Sequence, residues 1–348
     1  MEDGAPGHLR FPFEPPAPGA AVKVAEGVLW LRLPAFARPD HVNVYALDDG
    51  DGWTIVDAGL DDPPTRAAWG ALLIGPLAGR PVRRLIVTHH HPDHVGLAGW
   101  FRAALGAETW ITRTAWLYAR MLSLDVQDRP TPEALAFWRA AGMAPDLLAA
   151  RAGSRPVNYA DMIAPLPLGF RRIAEGDEID AGGRRWRVAI GDGHAPEHAT
   201  LWGIDHDLVL AGDQILPGIT PNLGVYASEP DADPVGAWNE SCRRLADLAR
   251  PEQLTLPGHG RPFLDPSRRL AALLADSADA GERLLAALDA PRSAAECFDA
   301  LYRRPIGAGE YGLALAEAVG RLNHARALGL VERAADAKGV WRWRRLGA

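Results

Sequence analysis

The stretch Thr88-His89-His90-His91-Pro92-Asp93-His94 has the form His-x-His-x-Asp-His, and no other feature restricts this chain as much. Its His89, His91, Asp93 and His94 can all bind a metal, and they fall within six residues. A helix would scatter such groups around its circumference, and a strand would turn neighbours to opposite faces. A tight loop can turn all four inward. Val82 to Thr88 reads as a short buried strand, and Val95 to Phe101 as the start of a helix. The cluster is therefore expected on a strand-to-helix loop, where α/β proteins usually place their chemistry. An appended histidine tag would be terminal and would lack the interleaved Pro92 and Asp93.

Three later segments repeat the pattern of an apolar strand ending in a polar group. Arg185 to Ile190 leads into Gly191-Asp192-Gly193-His194-Ala195-Pro196-Glu197-His198. Leu208 to Gly212 ends at Asp213, and Leu254 to Pro257 leads into Gly258-His259-Gly260. Earlier in the chain, Asn43 to Leu47 and Trp53 to Asp57 flank Asp48-Asp49-Gly50-Asp51-Gly52, a hairpin signature. Asp57 reads equally as a turn residue or as a carboxylate that steadies the His89 loop.

Taken in order, these motifs resemble those of the metallo-β-lactamase superfamily over roughly residues 22–264. The resemblance implies an α/β fold, an αββα sandwich with metals at one edge between the sheets. It implies that His89, His91 and His194 hold one metal, that Asp93, His94 and His259 hold another, and that Asp213 bridges them. His198 matches a position that is often His in the family without being a ligand there, and it is expected near the substrate pocket. Two metals about 3.5–4 Å apart can share a water and lower its pKa towards neutrality. The expected reaction is hydrolysis by a metal-bridging hydroxide, with Asp93 also orienting that group. Imidazole and carboxylate donors suit two Zn2+, with Mn2+ or Fe as alternatives.

Within the superfamily, His91 stands where oxygen-reducing flavo-diiron relatives carry Glu, and Asp213 is a carboxylate that the true β-lactamases lack. Gln214 to Ile219 does not show the basic side chains of the hydroxyacylglutathione hydrolases. The lactonases carry a Tyr shortly after the bridging Asp; the nearest candidate is Tyr226.

The chain is expected to divide into an irregular, Pro/Gly-rich arm (1–21), a catalytic domain (22–264) with a helical cap at about 115–161, and a tail (265–348). In that tail a long helix, a Ser293-Ala294-Ala295-Glu296 capping box, a second helix and two short strands look like a winged helix. The net charge of −7 argues against a nucleic-acid binder, although the residues from Leu285 onward carry ten Lys/Arg against seven Asp/Glu. A packing or dimerisation role is favoured for the tail, and a homodimer is the ordinary expectation. Cys242 and Cys297 form no Cys-x-x-Cys pair. No run of about 18 apolar residues occurs, and a cytoplasmic protein is expected. The leading expectation is thus a hydrolase acting on an ester-like bond of a small molecule: a thioester, lactone or related acyl compound. The alternatives are a metal-dependent endoribonuclease or phosphodiesterase, and a non-catalytic metal-binding regulator.

Overall fold

A strand buried along its whole length needs cover on both faces, and Val42 to Leu47 are all buried. The computed structural model describes residues 9–35 and 39–347. Its first sheet follows chain order: β1 (Ala21–Ala25), β2 (Val28–Pro34), β3 (His41–Asp48), β4 (Trp53–Val56), β5 (Val82–Ile86), β6 (Glu108–Ile111) and β7 (Arg171–Arg172). The pairs from β1 to β4 are antiparallel, and those from β4 to β7 are parallel. The second sheet contains β8 (Glu178–Ala181), β9 (Arg184–Gly191), β10 (His198–Gly203), β11 (Leu208–Gly212), β12 (Leu254–Pro257) and β13 (Phe263–Leu264). Only β11 and β12 pair in parallel there.

The two sheets face each other across one core. Trp30, Tyr45, Leu47 and Ile86 of the first sheet meet Trp186, Val188, Leu201, Leu210 and Leu256 of the second. The outer face of the first sheet packs on Trp69 and Leu72 of helix Pro63–Ile74, Phe101 of Ala98–Leu105 and Trp116 of Arg113–Leu124. The outer face of the second packs on Trp238, Cys242 and Leu245 of helix Pro234–Ala246, and on Leu270 and Leu273 of helix Pro266–Ala287. This is the expected helix–sheet–sheet–helix order.

Local chemistry explains where the crossover helices begin. Asp62 accepts from Thr65 N at 2.8 Å, and Pro63-Pro64 opens the helix. Asp233 does the same for helix Pro234–Ala246, accepting from Gly236 N at 2.8 Å. These helices connect the parallel pairs β4–β5 and β11–β12. The C-terminal ends of those four strands feed the loops at one edge of the sandwich.

The tail forms a module of its own around fully buried Trp343. It comprises the end of helix Pro266–Ala287, a short helix (Phe298–Tyr302), helix Tyr311–Ala327 and the hairpin of β14 (Val331–Ala335) and β15 (Trp341–Arg345). Glu296 accepts from Ser293 N at 2.7 Å, one arm of the expected capping box. The helical block expected over 115–161 divides. Helix Arg113–Leu124 lies on the first sheet, whereas Phe137, Met143 and Leu148 of the next two helices (Pro132–Ala140 and Pro145–Ala152) and their junction pack against the tail. Of the expected N-terminal arm, residues 1–8 lie outside the described residues. Residues 9–20 are irregular and attached to the body, with Arg10 O accepting from Leu264 N at 3.0 Å.

Candidate metal centre

The loop after β5 is held from within by Asp57, which follows β4. Asp57 is buried and adopts φ 65°, a left-handed conformation that Asp tolerates better than most residues. Its Oδ1 accepts from Thr88 N at 2.8 Å, and its Oδ2 from Thr88 Oγ1 at 2.9 Å. Oδ2 also lies 2.8 Å from His94 Nδ1, and Thr88 Oγ1 lies 2.9 Å from His89 Nδ1. One carboxylate thereby fixes two imidazoles and presents the Nε2 of each to the interior. Asp57 thus turns the chain at φ 65° and at the same time bonds the His89 loop.

The histidines of the second sheet are oriented in the same way. His194 Nδ1 lies 3.0 Å from Asn222 O, and His259 Nδ1 lies 2.7 Å from His41 O. The His259 loop is tied across to the first sheet. Asn43 Nδ2 donates to Pro257 O and Gly260 O, each at 2.9 Å, and Arg32 Nη2 donates to Gly260 O at 2.9 Å.

The donors then converge. His89, His91 and His194 present ligand atoms within 4.8 Å of one another, and so do Asp93, His94 and His259. Asp213 lies between the groups: Oδ1 is 3.4 Å from His94 Nε2, and Oδ2 is 3.5 Å from His194 Nε2 and 3.3 Å from His259 Nε2. Asp93 Oδ2 is 3.3 Å from His259 Nε2. His91 turns Nδ1 inward, 3.0 Å from His89 Nε2.

The side chains present fit a metal. His94 Nε2, His194 Nε2 and Asp213 Oδ1 are buried without a hydrogen-bond partner among the described residues. Unpaired buried polar atoms are costly unless something else satisfies them. The backbone also makes room, because a Cβ on Gly258 would fall 2.2 Å from Asp213 Oδ1.

Electrostatics tie six of these groups together. Burial works against charge on His94, but Asp213, Asp57 and Asp93 outweigh it and raise the imidazole well above its usual value. Burial likewise opposes charge on His259, yet the same pair of aspartates, Asp213 and Asp93, pushes it up to about 10. Burial would raise both aspartates; instead His259 and His94 hold Asp213 well below the ordinary carboxylate value, and His94 and His259 lower Asp93. His89 and His91 fall well below theirs, first through burial and then through neighbouring imidazoles.

His198 is close but serves the frame. Its ring stacks on His89 at 4.5 Å, and its Nε2 accepts from Asp213 N at 3.0 Å. Burial above all pushes it down to about 3, so it stays neutral. Gly212, at φ 48°, allows that contact, since a Cβ there would lie 2.7 Å from His198 Nε2. The Tyr226 hydroxyl lies beside Gly224 on the loop that follows Asp213, and burial raises it above its usual value.

Several site residues carried no sequence signal. Tyr159 donates its hydroxyl to His90 O, and the Tyr118 ring stands 5.1 Å from that of His90. Glu197 fastens helix Arg113–Leu124 to the His194 loop, accepting from Thr114 N at 2.6 Å and, through its carbonyl, from Thr112 Oγ1 at 2.7 Å. His41 and Asn222 act through backbone oxygens whose partners lie far away in sequence, and Thr88 links distant Asp57 to the adjacent His89. A hollow of about 530 Å3 lined by Asp49, Arg83, Arg84, Glu108 and Asp180 lies at the other end of the strands and contains none of the seven donors.

A two-sheet sandwich flanked by helices, with His and Asp donors from both sheets at one edge, defines a class. The chain belongs to the metallo-beta-lactamase superfamily, whose model matches residues 37–260. A second model, the metallo-beta-lactamase-like C-terminal domain, matches residues 282–346. The chain is similar to a beta-lactamase domain protein from Burkholderia ambifaria, at 34% identity and TM-score 0.88 over 97% of this chain and 98% of that one. It is also similar to a metallo-beta-lactamase family protein from Thermus thermophilus, at 28% identity and TM-score 0.76 over 93% and 100% of the two chains. A curated relative, "Probable metallo-hydrolase YqjP" of Bacillus subtilis (strain 168), is 28% identical over 68% of this chain and 73% of its own length.

Proposed function

We propose that this protein is a dinuclear metal-dependent hydrolase that cleaves an ester-like bond of a small molecule: a thioester, lactone or related acyl compound. The observation that carries the reading is the convergence of seven donors with inward-facing ligand atoms, three of them unpartnered. His89, His91 and His194 would hold one cation, Asp93, His94 and His259 the other, and Asp213 both. Zinc is the proposed metal, with manganese or iron as alternatives for an N/O donor set. When bound, the pair supplies a Lewis acid for the substrate oxygen and a water of lowered pKa.

The side chains divide the remaining work. Asp213 lies between the two sets, with Oδ2 3.5 Å from His194 Nε2 and 3.3 Å from His259 Nε2, where it would serve both cations. Asp93 is the more solvent-accessible donor carboxylate, with 26% of its side chain exposed against 7% for Asp213. Ionised and facing the opening, it is placed to accept a hydrogen bond from an entering water. Asp57 stays behind the imidazoles and holds their tautomers.

An acyl substrate suits the rim. Helix Arg113–Leu124 touches the metal loop through Tyr118 and leaves Leu117, Met121 and Leu124 exposed. A polyanion suits it less. In the tail, Arg342 pairs with Glu296 and Asp336, Arg344 with Glu332, and Arg326 and Arg333 with Asp231. These partners neutralise the charge that would grip phosphates. Among the described residues no helix is long and apolar enough to cross a membrane.

Elemental analysis of the purified protein tests the metal reading, with about two metals per chain expected. His89→Ala should abolish hydrolysis in a panel of thioesters, lactones and RNA assayed with added zinc and manganese. A fully loaded protein inert towards every acyl compound would overturn the substrate class. RNA cleavage in its place would favour the nuclease.

A further inference from the structure

The tail module reaches the metal centre through a chain of contacts. Helix Tyr311–Ala327 lies along the loop that follows Asp213. Ala316 O accepts from Val225 N at 3.0 Å. Asn222 Nδ2 donates to Leu313 O at 3.3 Å and lies 3.5 Å from Glu317 Oε2. Asn323 Nδ2 donates to Pro230 O and Ala232 O, each at 3.0 Å. The closest approach is at Gly320, where a Cβ would stand 2.4 Å from Leu223 O. Glycine is a poor choice inside a helix, and here its missing side chain is the space that the loop occupies.

The neighbour of Leu223 in that loop is Asn222, whose carbonyl oxygen lies 3.0 Å from His194 Nδ1. Accepting the Nδ1 proton leaves His194 Nε2 free to face the donors. A second route runs beside the first. His324 Nδ1 lies 3.0 Å from Asp233, the cap of helix Pro234–Ala246. That helix packs on the His194 loop, with Trp238 Cβ 2.4 Å from where Gly193 would carry its own. The corresponding anchors of His94 and His259 are Asp57 and His41 O, which belong to the first sheet and the loop it feeds.

We infer that the tail module is a positioning element for His194, acting through Gly320 and Asn222, and that the two metal positions therefore depend on different parts of the chain. Disturbing the helix–loop contact weakens the His89/His91/His194 position and spares the Asp93/His94/His259 position. The inference rests on the two-metal reading above.

Gly320→Ala is the sharpest probe: alanine is the better helix former, so any loss comes from the added methyl against the loop. Full-length wild type, Gly320→Ala and Asn222→Ala are stripped with a chelator and titrated with Zn2+, and in parallel with Co2+, whose visible spectrum reports its ligands. Arg344→Ala, on the exposed face of the tail hairpin, is the control. Wild type and control should take two equivalents. In each test variant one equivalent should bind as in wild type and the other about 10- to 100-fold more weakly. Wild-type affinity at both positions in the two test variants overturns the inference, and so does equal weakening of both. Should Gly320→Ala fail to fold, Asn222→Ala decides on the same terms. A wild-type chain that takes fewer than two equivalents overturns the two-metal reading itself, whatever the variants do.

Discussion

At the scale of single residues, Asp57 shows how much of a candidate metal site lies behind its proposed ligands. One carboxylate accepts from Thr88 and fixes His94, and through Thr88 it also fixes His89. Asp57→Asn keeps the shape and the tolerance for positive φ, but replaces an acceptor with a donor. Metal affinity should fall about 10- to 100-fold with the fold retained, as read by metal titration alongside circular dichroism. His259 supplies a pH dependence. Its neighbours push it up to about 10, so in metal-free protein it holds a proton at neutral pH. A cation binds the imidazole only after that proton leaves. Loading at neutral pH should therefore release protons, and affinity should climb as pH rises towards about 10. Calorimetry in buffers of different ionisation enthalpy counts those protons; binding insensitive to pH would contradict this account.

At the scale of elements, the loops carry the chemistry and the strands only aim them. Helix Arg113–Leu124 is an example of an element whose place is set by a partner distant in sequence. Thr112, which precedes it, makes no side-chain cap; the free N–H of Thr114 is taken instead by Glu197, from the second sheet's His194 loop. Glu197→Ala should cost about 0.5–2 kcal/mol, the range for a lost helix cap, measurable as a lower Tm. On the proposed acyl reading it should also raise KM more than it lowers kcat, because this helix carries Tyr118 beside His90.

For the whole molecule, the candidate metal centre would act as a clasp between two sheets. His89, His91, Asp93 and His94 follow a strand of the first sheet; His194, Asp213 and His259 follow strands of the second. A cation that binds only the folded chain adds RT ln(1 + [L]/Kd) to stability, about 2.7 kcal/mol at a hundredfold excess over Kd. Removing metal with a chelator should lower Tm, and zinc should restore it. An unchanged Tm would mean that the sandwich core alone holds the sheets together.

The candidate donors were visible in the sequence because each motif is local, an apolar strand with a polar group adjacent at its end, and the order of those motifs carried the resemblance that implied the layered fold. Asp57 was visible in the same way but ambiguous, since a turn aspartate and an anchoring one look alike until their partners are known. Only the tertiary structure decided which oxygen each imidazole leans on, and why His198 holds a backbone amide. It also decided that the 132–152 helices pack on the tail. Those choices depend on contacts between segments far apart in the chain, often through backbone carbonyls that every residue possesses. Such groups leave no mark in composition or spacing, so nothing short of the folded chain could reveal them.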